Sequence, residues 1–309
     1  MSADTKITEY RVVVTSFVVD VLDVVLNLTV AIATGSVVMF SEFFQGVADL
    51  TAAGFLIVGH RRAAKKPDKR YPFGYGKEIY FWTLISAVIM MTLTAAASFY
   101  MGLNRILHPV HITNPAWAVA ALLIALCTNS YALSLSVRKL LRDRSPRELP
   151  RIFLNTDKVA TKNAAVLDLM GSFAALFGLV SLLLYRTTGE ARFDGAGAMI
   201  IGLTTAALAF VLILGVKGFL VGQRTSSKIE GKIRRAALSV REVHEVLDLR
   251  TMQVGTDKLL VNMEVHMQDR LTTDELEVLI DKIKKRVLTK VPTIQHIQVE
   301  LETPEPSSA

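Results

Sequence analysis

The sequence predicts a membrane all-α bundle of six transmembrane helices followed by a small α+β cytoplasmic domain. Three observations carry that expectation. Apolar residues make up 51% of the 309-residue chain and raise its mean hydropathy to +0.39, and they fall in runs long enough to cross a bilayer. Charged residues, 20% of the total, gather in the loops and in the C-terminal stretch. After Gly222 the long runs give way to short helical and strand periods.

Six spans are expected: Val12–Ala33, Val37–Val58, Ile79–Leu103, Ala116–Val137, Val159–Tyr185 and Gly195–Val221. Each holds about 20 or more mainly apolar residues, enough as a helix to cross ~30 Å of hydrocarbon. A tight turn at Gly35–Ser36 makes the first two a helical hairpin. The segments His60–Lys69 (H-R-R-A-A-K-K-P-D-K) and Arg138–Arg151 are strongly basic, whereas Asn104–Asn114 and Arg186–Arg192 are much less so. This alternation places both termini and the two basic loops in the cytoplasm. Trp82 and Trp117 fall near span ends, as interfacial anchors do.

Past Gly222, Ser227–Val240 carries Ile229, Ile233 and Val240 at helical spacing. Two period-2 segments follow, Glu245–Gln253 and Lys258–Met267, with Gly255 forming the turn. A helix capped by Thr272 or Thr273 sets Leu276, Leu279, Ile280, Ile283 and Val287 on one face, and a strand at Ile294–Glu302 closes an α-β-β-α-β, ferredoxin-like order. The expected boundaries are 1–225 for the six-span domain, 226–303 for a cytoplasmic dimerisation and regulatory domain, and 304–309 for a disordered tail. A domain this small, with one open sheet face, favours pairing with a second copy.

Several function classes are excluded on composition. The net charge of +7 sits at the ends of apolar runs, as topology requires, and does not indicate a nucleic-acid partner. Cys127 is the single cysteine, so one chain holds neither a disulfide framework nor a thiolate cluster. No cleavable signal peptide is evident in Met1–Arg11. No phosphate-cradling glycine loop and no nucleophile–base motif appears, which points away from an enzyme and from any prosthetic group.

The informative residues are carboxylates inside the spans. An ionised carboxylate at mid-membrane depth costs about 2.5–3.5 kcal/mol and normally faces a polar path or a bound cation. Glu42, Gln45 and Asp49 are spaced i, i+3, i+7, so they share one helix face. Asp168 is the carboxylate of the fifth span, after the polar Thr161, Lys162 and Asn163, and no basic residue lies within the neighbouring span interiors. Asp20, Asp23 and Asn27 line one face of the first span and Asn129 lies in the fourth; either group serves as a helix-packing seam or as part of a cation path. Asp194 is expected to cap the sixth helix. In the soluble part, His244, His266 and His296 with Glu264 or Asp248 are candidates for a regulatory metal. Two carboxylates sharing one poorly solvated site exchange protons for a dication, the minimum chemistry of a metal–proton antiporter.

The stretches Gly35–Asp49 (G-S-V-V-M-F-S-E-F-F-Q-G-V-A-D), Arg70–Glu78 (R-Y-P-F-G-Y-G-K-E) and His296–Leu301 (H-I-Q-V-E-L) resemble the cation diffusion facilitator family over nearly the whole chain. Tyr71–Trp82 is most similar to the branch containing the mitochondrial zinc transporter nine type and its bacterial relatives. The resemblance implies a homodimeric, proton-coupled exporter of divalent transition-metal cations working by alternating access; the expected membrane is the cytoplasmic (inner) one. It implies a tetrahedral intramembrane site at Gln45, Asp49, Ala164 and Asp168. This chain departs from the family pattern at Gln45 and Ala164, where His or Asp is usual. The loss of imidazole leaves oxygen ligands that suit manganese or iron(II) as well as zinc. Lys77 corresponds to a lysine that in relatives pairs with an acid after the sixth span, where this chain has Leu-Val-Gly-Gln at 220–223. The alternative reading is a non-transporting or sodium-handling protein of the same fold, acting as a binding or scaffold subunit.

Overall fold

In hydrocarbon every backbone polar group needs an internal partner, and the apolar runs accordingly form helices. The computed structural model describes residues 21–141, 145–148 and 159–303, the side chains of 148 and 159–164 excepted. The expectations for Asp20 and for the tail at 304–309 fall outside the described residues. The apolar helices are α1 (Val21–Thr34), α2 (Val37–Ala63), α3 (Glu78–Leu107), α4 (Pro115–Leu141), α5 (Val159–Thr188) and α6 (Arg192–Val221). Among the described residues, five of these, α2 to α6, are long and apolar enough to cross a membrane.

Several helices outrun the apolar spans read from sequence. α2 continues from Val58 to Ala63 and carries His60, Arg61 and Arg62 in its last turn, where cations complement the partial negative charge of a helix C-terminus. α3 is not uniform: Met90–Ala96 is a π-helical segment that no apolar period announces. Thr94, fully buried, donates from this segment to the Phe44 carbonyl of α2 at 3.1 Å.

Two compact units emerge. One comprises residues through Val58 with Trp82–Gly215, the other Gly59–Phe81 with Val216 onward. The core of the first gathers Val38, Met39, Leu122, Leu182 and Ile201 from α2, α4, α5 and α6. Within it α3 and α6 approach backbone to backbone: a Cβ on Gly102 would lie 2.5 Å from the Gly195 carbonyl oxygen, and one on Gly195 2.6 Å from that of Gly102. Small residues permit such an approach where helices associate through dispersion contacts.

Asp194 corrects an expectation. It lies in the first turn of α6 and caps a different helix. Its carboxylate, with no solvent exposure, accepts from the Val37 amide at 2.8 Å, the Val38 amide at 3.2 Å and the Ser36 hydroxyl at 2.6 Å. The two amides are orphan donors of α2's N-terminus. Arg105 of α3 stands 3.9 Å from the same carboxylate and donates to the Gly35 and Val110 carbonyls. An i+3 search within α6 could not find this, because the donors lie 156 to 158 residues away in sequence.

The second unit contains α7 (Ser227–Leu238), β1 (Val243–Gly255), β2 (Lys258–Met267), α8 (Thr273–Lys290) and β3 (Ile294–Leu301). The strands form one sheet in the order β1-β2-β3, antiparallel across β1/β2 and parallel across β2/β3. Leu259, Val261, Met263, Val265 and Met267 face inward against Ile233, Ala236 and Ala237 of α7 and Leu279, Ile283 and Val287 of α8, the period-2 and helical faces read from sequence. Thr272 and Glu275 form a capping box on α8.

The segment Gly59–Phe81 is built into this second unit. Gly76 and Gly255 touch so closely that a Cβ on Gly76 would collide with the Val254 carbonyl at 2.2 Å. Asp68 organises the segment by accepting from the Arg70 and Tyr71 amides and, at 2.6 Å, from the Tyr75 hydroxyl. The Tyr75 hydroxyl bond, followed by the Tyr71 amide, holds the Asp68 carboxyl below its ordinary 3.8. A lowered carboxylate contributes order above the ordinary value and loses it as pH falls through the lowered one.

Two outcomes are expected. Asp194→Ala leaves the α2 amides and Arg105 without their anion and costs about 3–5 kcal/mol, read as a lower thermal midpoint of the detergent-solubilised protein. Tyr75→Phe moves the Asp68 carboxyl back toward its usual range, seen as a higher titration midpoint in carbon-13 NMR; an unmoved midpoint would refute the role of the hydroxyl.

Candidate functional site

The i+4 rise of a helix sets Gln45 and Asp49 one turn apart on α2, and the structure joins them. Gln45 Nε2 donates to Asp49 Oδ1 at 3.2 Å and Oδ2 at 3.4 Å. Gln45 is 3% exposed, and among the described residues its buried Oε1 has no hydrogen-bond partner. The amide thus uses its donor to orient Asp49 and keeps an acceptor in reserve. Glu42, 4% exposed, likewise holds a buried Oε1 with no hydrogen-bond partner among the described residues. A dry, unpaired acceptor is costly unless a cation or proton completes it.

Asp49 and Asp168 line one cavity of about 690 Å³, together with Asp23, Asn129, Ser86, Thr128 and Met90. Polar side chains converge on it from four helices beyond α2: Asp23 from α1, Ser86 from α3, Thr128 and Asn129 from α4, and Asp168 from α5. Asp168 accepts from the Ser136 hydroxyl of α4. Lys139, also on α4, is near enough for its charge to act on Asp168. That cation lies just beyond the fourth apolar span expected from sequence, Ala116–Val137, and so outside the neighbouring span interiors, which hold no basic residue near Asp168. Asn27 donates to Asp23 at 3.0 Å, so this pair forms a side-chain bridge within α1 beside the cavity.

Asn129 is held by close helix packing. A Cβ at Gly171 of α5 would stand 2.8 Å from Asn129 Oδ1, so glycine is what lets the amide lie flat against α5 at the cavity. Met90, where the π segment begins, meets the cavity and is 1% exposed. Wide π turns recur where a helix is shaped around a site. Asn163 and Ala164 belong to α5, and their side chains lie outside the described residues.

Although Asp23, Asp49 and Asp168 share the cavity, no three His, Cys, Asp or Glu side chains among the described residues are grouped to hold one ion. The arrangement can offer a cation one or two carboxylates at a time, supplemented by amide and hydroxyl oxygens. Such a donor set suits hard or borderline dications.

The remaining candidates are in the sheet of the second unit. His266 stands with its ring centroid 5.8 Å from that of His244 across β1/β2, and Glu264 registers with Asp248 on one side and Glu300 on the other. His296 is exposed on β3, and its ring meets that of Phe73 edge-on at 5.6 Å. These residues are spread over the sheet and are not gathered into one site. Among the described residues Lys77 forms no ion pair with an acid; it donates to the Leu220 carbonyl at 3.4 Å, near the C-terminus of α6, where a cation complements the helix end.

Residues 13–215 match the cation efflux transmembrane domain, and 225–304 match the cytoplasmic domain of cation efflux proteins. The chain is 24% identical over 288 residues to the mitochondrial proton-coupled zinc antiporter SLC30A9 of Xenopus laevis, covering 89% of this chain and 51% of that protein. It thus spans about half the length of these mitochondrial relatives. An uncharacterised transporter of Methanocaldococcus jannaschii is 23% identical over 276 residues, 88% of this chain and 90% of the other. A nickel form of the C-terminal domain of MamM aligns with 26% of this chain and all of its own length at 24% identity and a TM-score of 0.25.

The packing at Asn129 generates one expectation. Gly171→Leu forces the amide away from α5 and narrows the cavity, so metal binding by the purified protein weakens roughly tenfold or more, the effect of losing one charge-assisted or metal-directed oxygen contact. Calorimetric titration with manganese or zinc checks it, and an unchanged affinity would remove Asn129 from the cation path.

Proposed function

The chain belongs to the cation efflux (cation diffusion facilitator) family, and from that premise we propose that it is a proton-coupled antiporter exporting divalent transition-metal cations from the cytoplasm by alternating access. The observation that carries this reading is the shared cavity of Asp49 and Asp168. Two carboxylates from separate helices, within one enclosure inside an apolar bundle, have no packing purpose that apolar side chains would not serve at lower cost.

In this reading Asp49 and Asp168 are the primary ligands, and Gln45 steadies Asp49 while offering its spare Oε1. Asp23, Asn27, Asn129, Glu42 and Asn163 extend the path. The dication stabilises the ionised carboxylates, so its arrival releases protons and its departure lets them rebind. Helix rearrangement about the close contact of α3 with α6 and the π segment of α3 exposes the cavity to alternate sides. Six spans cross the membrane, both termini are cytoplasmic, and the membrane is the cytoplasmic (inner) one. The C-terminal domain, residues 226–303, with its ferredoxin-like order, pairs two copies.

A second reading draws on the donor count. Because no third acidic, histidine or cysteine side chain joins any pair among the described residues, a subunit that binds cations weakly, handles sodium, or serves as a scaffold without transport also fits.

Reconstitution separates the two. With the wild-type protein in liposomes, a metal gradient drives counter-movement of protons; Asp49→Ala and Asp168→Ala abolish it, and Gln45→Ala leaves a reduced flux. Gln45→His shifts preference toward zinc over manganese, because imidazole is the softer ligand. Wild-type liposomes that move no proton across a panel of manganese, iron, zinc, cadmium, cobalt and sodium would favour the scaffold.

A further inference from the structure

The cytoplasmic unit has a feature that the transport reading leaves unused. α7 and α8 pack side by side over the sheet, and between them runs a groove of about 770 Å³ lined by Lys232, Arg235, Lys282, Lys285, Arg286 and Lys290. Ala236 forms part of its floor, and Ser239 and Thr289 bring hydroxyls to its wall. Among the described residues no acid lines it.

Helical spacing explains how the cations converge. Lys232 and Arg235 are i, i+3 on α7; Lys282, Arg286 and Lys290 follow at i, i+4 and i+8 on α8, with Lys285 beside them. Like charges at these spacings weaken a helix, so the arrangement opposes folding of the domain that carries it. Two of the six have structural employment. Lys282 meets Glu242 at 3.5 Å, and Arg286 donates to the Ser239 carbonyl and, at 2.8 Å, to its hydroxyl, closing the C-terminal end of α7. Lys232, Arg235, Lys285 and Lys290 are exposed, and among the described residues none of the four forms an ion pair with an acid.

We propose that this groove between α7 and α8 is a binding site for a ligand bearing several phosphates, either a soluble polyphosphate or the multiply phosphorylated headgroup of a lipid. The volume, the hydroxyls and the cations on opposing walls suit an anion whose charges are spread over several groups. A single phosphate reaches only part of the set. The concave shape favours a compact polyanion, since six cations around one groove concentrate the positive potential there. Arginine accepts phosphate in a bidentate fork and lysine as a point charge, and the groove supplies both. The site lies wholly within the second unit and does not depend on whether the cavity of Asp49 and Asp168 transports.

The test uses the full chain in phosphatidylcholine nanodiscs. Calorimetry with inorganic triphosphate reports soluble binding, and co-flotation with phosphatidylcholine vesicles, with and without phosphatidylinositol bisphosphate, reports lipid binding. Either signal supports the site when Lys232→Gln with Lys290→Gln weakens it roughly tenfold or more, as loss of charge-assisted contacts implies, and Lys232→Arg with Lys290→Arg retains it. Triphosphate binding alone identifies a soluble ligand; vesicle binding that requires the bisphosphate identifies a lipid. A thermal midpoint equal to wild type shows that the glutamine variant is folded. Absence of both signals, or a signal that the glutamine pair leaves intact, overturns the proposal, as does binding of monophosphate as tight as that of triphosphate.

Discussion

A carboxylate cannot be left alone in a hydrocarbon layer, and the transmembrane part of this protein is arranged around that constraint. Water is absent there, so each acidic side chain must be given donors, a cation, or a shared polar enclosure. Two solutions occur side by side. Asp194 is sealed, with three donors from the start of α2 and Arg105 nearby. Asp49 and Asp168 are instead turned toward a common cavity. The same residue type therefore serves as a fixed joint between helices in one place and as the lining of a shared cavity in the other.

The sealed joint and the cavity are both built on α2. Asp194 ties α6, the start of α2 and, through Arg105, α3 into one assembly. The backbone contact of Gly102 with Gly195 adds to it. With those ends fixed, α2 presents Asp49 to the cavity on a defined face, and Gln45 orients its carboxylate from one turn away.

Much of this is legible in the sequence, and the reasons are local. The i, i+3, i+7 spacing of Glu42, Gln45 and Asp49 requires only helical geometry to place them on one face. The alternation of Leu259 to Met267 requires only the pleat of a strand. Thr272 with Glu275 is a capping box readable from four residues. Asp194 misleads because its position before an apolar run mimics a local cap, whereas its partners belong to another helix. Lys139 and Ser136 escape as neighbours of Asp168 because pairing between helices leaves no trace in spacing. The π segment of α3 is equally silent, since its apolar residues satisfy either helical period.

What the chain's order of residues determined by itself is the division into apolar helices and an α-β-β-α-β domain, the faces those elements present, and the identity of the acids that hydrocarbon would not tolerate unaccompanied. Those outcomes follow from hydrophobicity and from periods of 3.6 and 2, which act within a few residues of the chain. Only the tertiary structure decided which acids share the cavity, which one becomes a joint, that Lys77 serves a helix end, and that the cations of α7 and α8 face one another across a groove. Each of those depends on distance between residues far apart in sequence, where dispersion, close glycine contacts and burial select the neighbours.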